Sequence, residues 1–307
     1  MNHAASLRVR LLWLALVSVA AFGSACCSSA PRFPGALEAG RPVPAQAAAE
    51  AIEGYNAHIE QLDRLWARAT VAVFQQDERG RTQRDQGEGF VQLVRPSMVS
   101  LSVGKYVDRM YFELGSNEGW YWWIDVLDRA DSFALLGRHE LATPELADRF
   151  GVPVHPLDLP ILLGVEPAPA VTGVRRVSGG RLVLSWPSRW GGEARVALDE
   201  LSQPVRVELW TADGDLAAAS VIEQHQGVTV RGTGDRPRVG GRFEIDLPRI
   251  ETQVVVHMTS PESSERRPGT APFDLEGQLR RYRIPEDRIR LLDRPEDVER
   301  LLTGTAQ

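Results

Sequence analysis

Two periodicities divide the chain. Ile52, Tyr55, Ile59, Leu62 and Trp66 recur at steps of three and four, with Glu60, Asp63 and Arg64 on other faces, a spacing that predicts an amphipathic helix with one side to cover. Its polar face lacks the Lys/Arg excess of helices that lie in a membrane interface, so packing on a sheet is the expectation. From Arg68 the period drops to two. Apolar runs at Ala69–Phe74, Gly89–Val94, Met98–Val103, Arg109–Leu114, Trp120–Val126 and Ser132–Gly137 are split by short polar separators. Among those separators are Asp77-Glu78-Arg79-Gly80, Arg95-Pro96 and Gly115-Ser116-Asn117-Glu118-Gly119, of hairpin length, which predicts an antiparallel meander. A second set runs Arg181–Trp186, Ala194–Leu198, Val205–Trp210, Ala217–Glu223, Phe243–Leu247 and Gln253–Met258. Between the sets, Pro144 to Gly164 carries Leu146, Phe150, Leu157, Leu159, Ile161, Leu162 and Leu163 and is too apolar to lie exposed.

This order predicts a mainly β (α+β) fold: a curved antiparallel sheet or half-open barrel, with an N-terminal amphipathic helix and a helical lid insertion. Several strands are apolar on both faces. Trp120, Trp122 and Ile124 alternate with Tyr121 and Trp123, and Val205, Val207 and Leu209 with Arg206, Glu208 and Trp210. Leu101, Phe112, Trp122, Ile124, Leu184, Val207 and Leu209 are the candidate lining of a hollow for an apolar ligand. The same residues would equally serve as a packed core, and a slip of one residue would turn each to the other face.

The N-terminus changes the picture. Arg8 and Arg10 precede an unbroken apolar run from Leu11 to Phe22, too short to cross a bilayer but of the length of a signal-peptide core. Gly23-Ser24-Ala25 then leads into Cys26, in the manner of the bacterial lipobox, whose cysteine is acylated and becomes the mature N-terminus; Cys27 offers a second frame. These are the only two cysteines, and they are adjacent, so a structural disulfide is not their expected role. The expected organisation is a signal peptide at 1–25, a Pro/Ala/Ser-rich tether at 26–45, the half-barrel at 46–275 and a helical or disordered tail at 276–307. That places the protein in the bacterial cell envelope, membrane-anchored by its acyl group and facing the periplasm, with the outer membrane favoured over the inner.

Composition removes other classes. The net charge of −6 and the single lysine, Lys105, argue against nucleic acid and anionic headgroups as partners. His58, His139, His155, His225 and His257 stand at no metal-ligand spacing. Asp125, Asp128 and Asp131 lack the further oxygen ligands of a calcium loop. Gly115 to Gly119 lacks the G-x-S-x-G spacing of a nucleophile elbow and is expected to be a hairpin turn, and the glycines at 232, 234, 240 and 241 are expected to be turns rather than a phosphate cradle. The expectation is a protein without cofactor, metal or catalytic centre; the oligomeric state stays open.

The order of elements resembles the outer-membrane lipoprotein localisation family, the carrier LolA and the lipid-anchored receptor LolB. The likeness runs from about Tyr55 to Asp274 and is carried by Leu62 to Ala69, Gly89 to Pro96, Phe112 to Trp123, Leu162 to Pro167, Phe243 to Ile250 and Pro272 to Leu275. It implies an incomplete barrel with helices as a lid, whose apolar hollow holds the acyl chains of a lipid or acylated protein. The segment from Glu276 to Gln307, with helix starts at Pro285 and Pro295, has no counterpart in that pattern. A structural or sensory envelope lipoprotein, using the same fold as a protein-interaction scaffold, is the second reading.

Overall fold

The computed structural model describes residues 36–76, 80–106, 109–127, 130–143, 155–189, 191–230, 236–264 and 267–293. Cys26, Cys27, Leu146, Phe150, Asp128, Gly232, Gly234 and Pro295 lie outside them.

After a two-residue strand β1 (Arg41–Pro42) comes helix α1 (Ala45–Glu60). The meander follows as β2 (Arg64–Gln76), β3 (Thr82–Val94), β4 (Met98–Tyr106), β5 (Arg109–Ser116), β6 (Trp120–Asp125) and β7 (Phe133–Arg138). The insertion ends in a one-turn helix α2 (Leu159–Leu162). The second set is β8 (Gly173–Arg176), β9 (Leu182–Pro187), β10 (Glu193–Leu198), β11 (Pro204–Trp210) and β12 (Leu216–Glu223). It continues through the short pieces β13 (Gln226–Gly227), β14 (Thr229–Val230) and β15 (Arg238–Val239) to β16 (Arg242–Leu247) and β17 (Thr252–Ser263). The chain closes with helix α3 (Leu275–Tyr282) and strand β18 (Ile289–Leu291).

One large curved sheet takes up nearly all of these strands, in the order β1-β8-β9-β10-β11-β12-β16-β17-β2-β3-β4-β5-β6-β7-β18, and is not closed into a barrel. All twelve strands expected from alternation are present. The sheet is antiparallel except at its β18–β7 edge and at β14–β17, which are parallel. The two expected halves join through β17, which pairs with β2 from Thr252↔Gln75 to Met258↔Ala69.

Three boundaries differ from expectation. Helix α1 stops at Glu60, and Trp66, counted on its apolar stripe, belongs to β2, where its ring lies 5.4 Å from that of Phe90. The alternation of Leu65, Ala67, Ala69 and Val71, all buried, overrides the helical spacing that Trp66 continues. The end of the supposed tether is docked: Arg41 and Pro42 pair with Arg176 and Arg175, Arg175 Nη1 donates to the Ala39 carbonyl at 3.0 Å, and the Leu37 amide donates to Glu208 Oε1 at 2.7 Å. Pro42 is tolerated because it sits on an edge strand, where a missing N–H costs no ladder bond, and the Val43 amide beyond it still donates to the Val174 carbonyl at 3.3 Å. Lastly, residues 276–293 form part of the fold rather than a tail: α3 covers the sheet and β18 extends it.

Candidate ligand-binding face

Strand alternation gives the sheet an inner face, covered by α1 and the insertion, and an outer face. On the inner face, cross-strand pairing lines up Leu135, Trp123, Leu114, Leu101, Val91 and Ala67 across six strands. A second row runs Val73, Val254, Ile245, Ser220, Val207, Val196 and Leu184. These side chains, with the cover, form one continuous apolar cluster. The hydroxyl of Ser220 interrupts the second row; it is buried and has no hydrogen-bond partner among the described residues.

The cover is made of two pieces stitched to each other. Tyr55 Oη donates to the Glu166 carbonyl at 2.6 Å, and Asn56 Oδ1 accepts from the Ala168 amide at 3.0 Å. Burial pushes the Tyr55 hydroxyl far above its ordinary value, with the Glu166 carboxylate adding to the effect, so it is a permanent donor. Toward the sheet the cover turns Ala51, Tyr55 and Ile59 of α1 and Leu157, Leu159, Ile161, Leu162 and Leu163 of the insertion, all buried. Tyr55 reaches Trp186 of β9 with ring centroids 6.4 Å apart. His155, at the start of the described insertion, packs against Tyr121 of β6 at 4.6 Å. Burial, then the nearby Arg189 and His139, push its imidazole down to about 3, so it is neutral. Arg189 also stands 4.0 Å from Glu166.

Of the seven residues expected to line the hollow, five share the inner face: Leu101, Leu184, Val207 and Leu209 in the cluster, with Phe112 packed against its edge. Trp122 and Ile124 do not. They face outward, in a separate cluster with Ala134, Leu136 and Ile284 beneath α3 and β18. Their neighbours Tyr121 and Trp123 take the inner places, and Trp123 stacks on Phe112 at 4.3 Å between centroids. Two glycines fix this phase: a Cβ on Gly115 would meet the Trp122 ring at 2.5 Å, and one on Gly137 would meet Tyr121 at 2.2 Å. Each aromatic ring therefore lies flat over the glycine paired with it across the ladder. The signal the sequence offered was only the presence of Gly115 and Gly137 in the two strands that flank the aromatic one.

The Ser116 hydroxyl in the β5–β6 hairpin donates to the Ser97 carbonyl at 2.5 Å, and Asn117 Oδ1 caps the turn by accepting from the Gly119 and Trp120 amides. No group of three His, Cys, Asp or Glu residues able to hold a metal occurs among the described residues.

No protein-family model and no curated protein matches the chain. Solved structures with a similar architecture include a LolA superfamily protein from Nitrosomonas europaea, 12% identical, with 73% of this chain and 94% of that one covered and a TM-score of 0.46. A DUF1329 family protein from Desulfovibrio piger is 10% identical, with 74% and 97% covered and a TM-score of 0.44. A proposed outer membrane lipoprotein-sorting protein domain from Vibrio parahaemolyticus is 11% identical, with 71% and 94% covered and a TM-score of 0.45.

Proposed function

We propose that the protein is a non-enzymatic envelope lipoprotein, anchored through an acylated Cys26 or Cys27, that takes the acyl chain of a lipid or acylated protein against the inner face of its sheet. One observation carries this reading: an apolar wall interrupted only by the Ser220 hydroxyl in its second row spans the described sheet, and its cover is hydrogen-bonded within itself while meeting the wall through apolar side chains. Apolar contacts are non-directional, so a chain of methylenes can replace leucine side chains at little loss, each buried CH₂ being worth about 0.8 kcal/mol. Such recognition requires no catalytic group.

A specific observation favours the second reading, an interaction scaffold: Leu159, Leu162 and Leu163 are at most 1% exposed, so the face is filled by the chain's own side chains when the cover is down. The two readings part at cover opening. Titration with a fluorescent fatty acid is expected to show saturable binding. Tyr55→Phe, which deletes the 2.6 Å bond joining α1 to the insertion, is expected to tighten the apparent affinity by roughly fivefold, because parting those two pieces of the cover to admit a chain no longer breaks one hydrogen bond of about 1 kcal/mol. Absence of saturable binding in both proteins would leave the scaffold.

A further inference from the structure

The outer face of the sheet carries a buried acid that the ligand reading does not use. Residues 271–293 form a strap across β4 to β7: Asn117 Nδ2 donates to the Phe273 carbonyl at 3.3 Å, α3 follows with Asp274 as its N-cap, and β18 lies along β7. The Leu292 amide donates to the Leu136 carbonyl at 2.7 Å, and Arg138 Nε and Nη2 both donate to Asp293 Oδ2, at 2.9 and 2.6 Å. Under the strap sits Glu113 of β5, 1% exposed, whose Oε2 accepts from Tyr282 Oη at 2.6 Å. Its other oxygen, Oε1, has no hydrogen-bond partner among the described residues.

One turn of α3 before Tyr282, on the same side of the helix, is Gln278, itself 4% exposed. Its Nε2 is engaged with the Ala271 carbonyl at 2.8 Å, which leaves its Oε1 as a second acceptor without a donor. Glu113 thus has one oxygen held by Tyr282 and one acceptor without a donor, and the residue a turn before Tyr282 carries a second buried acceptor without a donor; such a pair is costly as it stands and would be complementary once a proton is added. We propose that Glu113 is a protonation latch for the C-terminal strap: its neutral carboxyl accepts from Tyr282 and donates to Gln278, and its ionisation removes the second bond and loosens the strap.

The surroundings agree in sign. Burial raises the Glu113 carboxyl to about 7, against the bond from Tyr282 and the charge of Arg281, both of which act downward. Its direct cross-strand partners are Ser102 and Ile124, with Ser100 and Trp122 beside them across Gly115, and from the strap Tyr282 and Arg281 act on it. Arg281 is the one cation shown to act on it, among the described residues. Because the docked value lies above the ordinary carboxylate value, strap docking is strongest in mild acid and weakens as pH rises through about 7. Release uncovers Trp122, Ile124 and Leu136 together with the edge of β7, a second apolar surface distinct from the ligand-binding face.

Hydrogen–deuterium exchange of the full-length chain in detergent tests this. Exchange of the 278–292 amides, corrected for intrinsic rates and compared with amides of β2 and β17, is expected to speed up by about tenfold or more between about pH 5.5 and about pH 8, since one unit of pKa displacement is a factor of ten. Glu113→Gln, whose amide keeps both bonds without titrating, is expected to hold the strap equally at both pH values. Gln278→Leu, which also gives up the bond to the Ala271 carbonyl, is expected to exchange faster than the wild type at both pH values and to lose most of the pH dependence. Strap exchange that is independent of pH in the wild type overturns the latch, as does unaltered pH dependence in either variant.

Discussion

Trp122 and Trp123 are adjacent, both buried, and on opposite sides of one strand. Their separate roles are a test at the residue scale. Trp123→Leu is expected to weaken fatty-acid binding severalfold, since it removes the ring that stacks on Phe112 on the inner face. Trp122→Leu is expected to leave binding unchanged and to cost about 2 kcal/mol in urea denaturation, with faster amide exchange in α3. A binding defect in the Trp122 variant would contradict the assigned faces. The sequence did not reveal this phase from the strand itself, because alternation carries information only when one face is polar, and Trp120 to Ile124 is apolar throughout. Neighbouring β5 was more legible: Phe112 and Leu114 face in, Glu113 and Gly115 out, and pairing with β6 transmits that phase.

At the scale of elements, the cover and the strap respond to pH in opposite directions. His155 in the insertion is held neutral, with a value of about 3 that lies below the ordinary 6.5. Its contribution is therefore complete above that ordinary value and is lost as pH falls toward and through the folded one. Amide exchange in residues 157–165, corrected for intrinsic rates, is expected to quicken between about pH 7 and about pH 5. Equal exchange at both would show that the insertion does not depend on a neutral His155. Strand existence was legible at this scale because hairpin-connected alternation is a local signal, as in β9 to β12. The missed elements are non-local. Strand β18 has three residues and pairs in parallel with β7 across more than 150 positions, and β1 has two residues that include a proline. Neither carries a period that a window of sequence can show. The docking of α3 follows the same logic, since its target, the outer cluster around Trp122, exists only after the sheet has formed.

At the scale of the whole molecule, the described residues are built on one large open sheet with its two faces put to different uses. The inner face meets a cover of α1 and the insertion, and the outer face at β4 to β7 meets the C-terminal strap. The order of strands, the leading helix and the apolar insertion were all present in the hydrophobic pattern. The incorporation of residues 36–44 and 276–293 was not, because those segments are held by particular partners: Glu208 for Leu37, Glu113 for Tyr282 and Arg138 for Asp293. The central claim is that the inner face exchanges its own cover for an acyl chain. Native mass spectrometry tests it most directly, on protein made with its own signal in a lipoprotein-processing bacterium beside a soluble version beginning at Ser28. A lipid-sized mass on the soluble version that is lost on unfolding is the predicted result; a bare soluble version beside an acylated full-length form would contradict it and leave the lipid as an anchor alone.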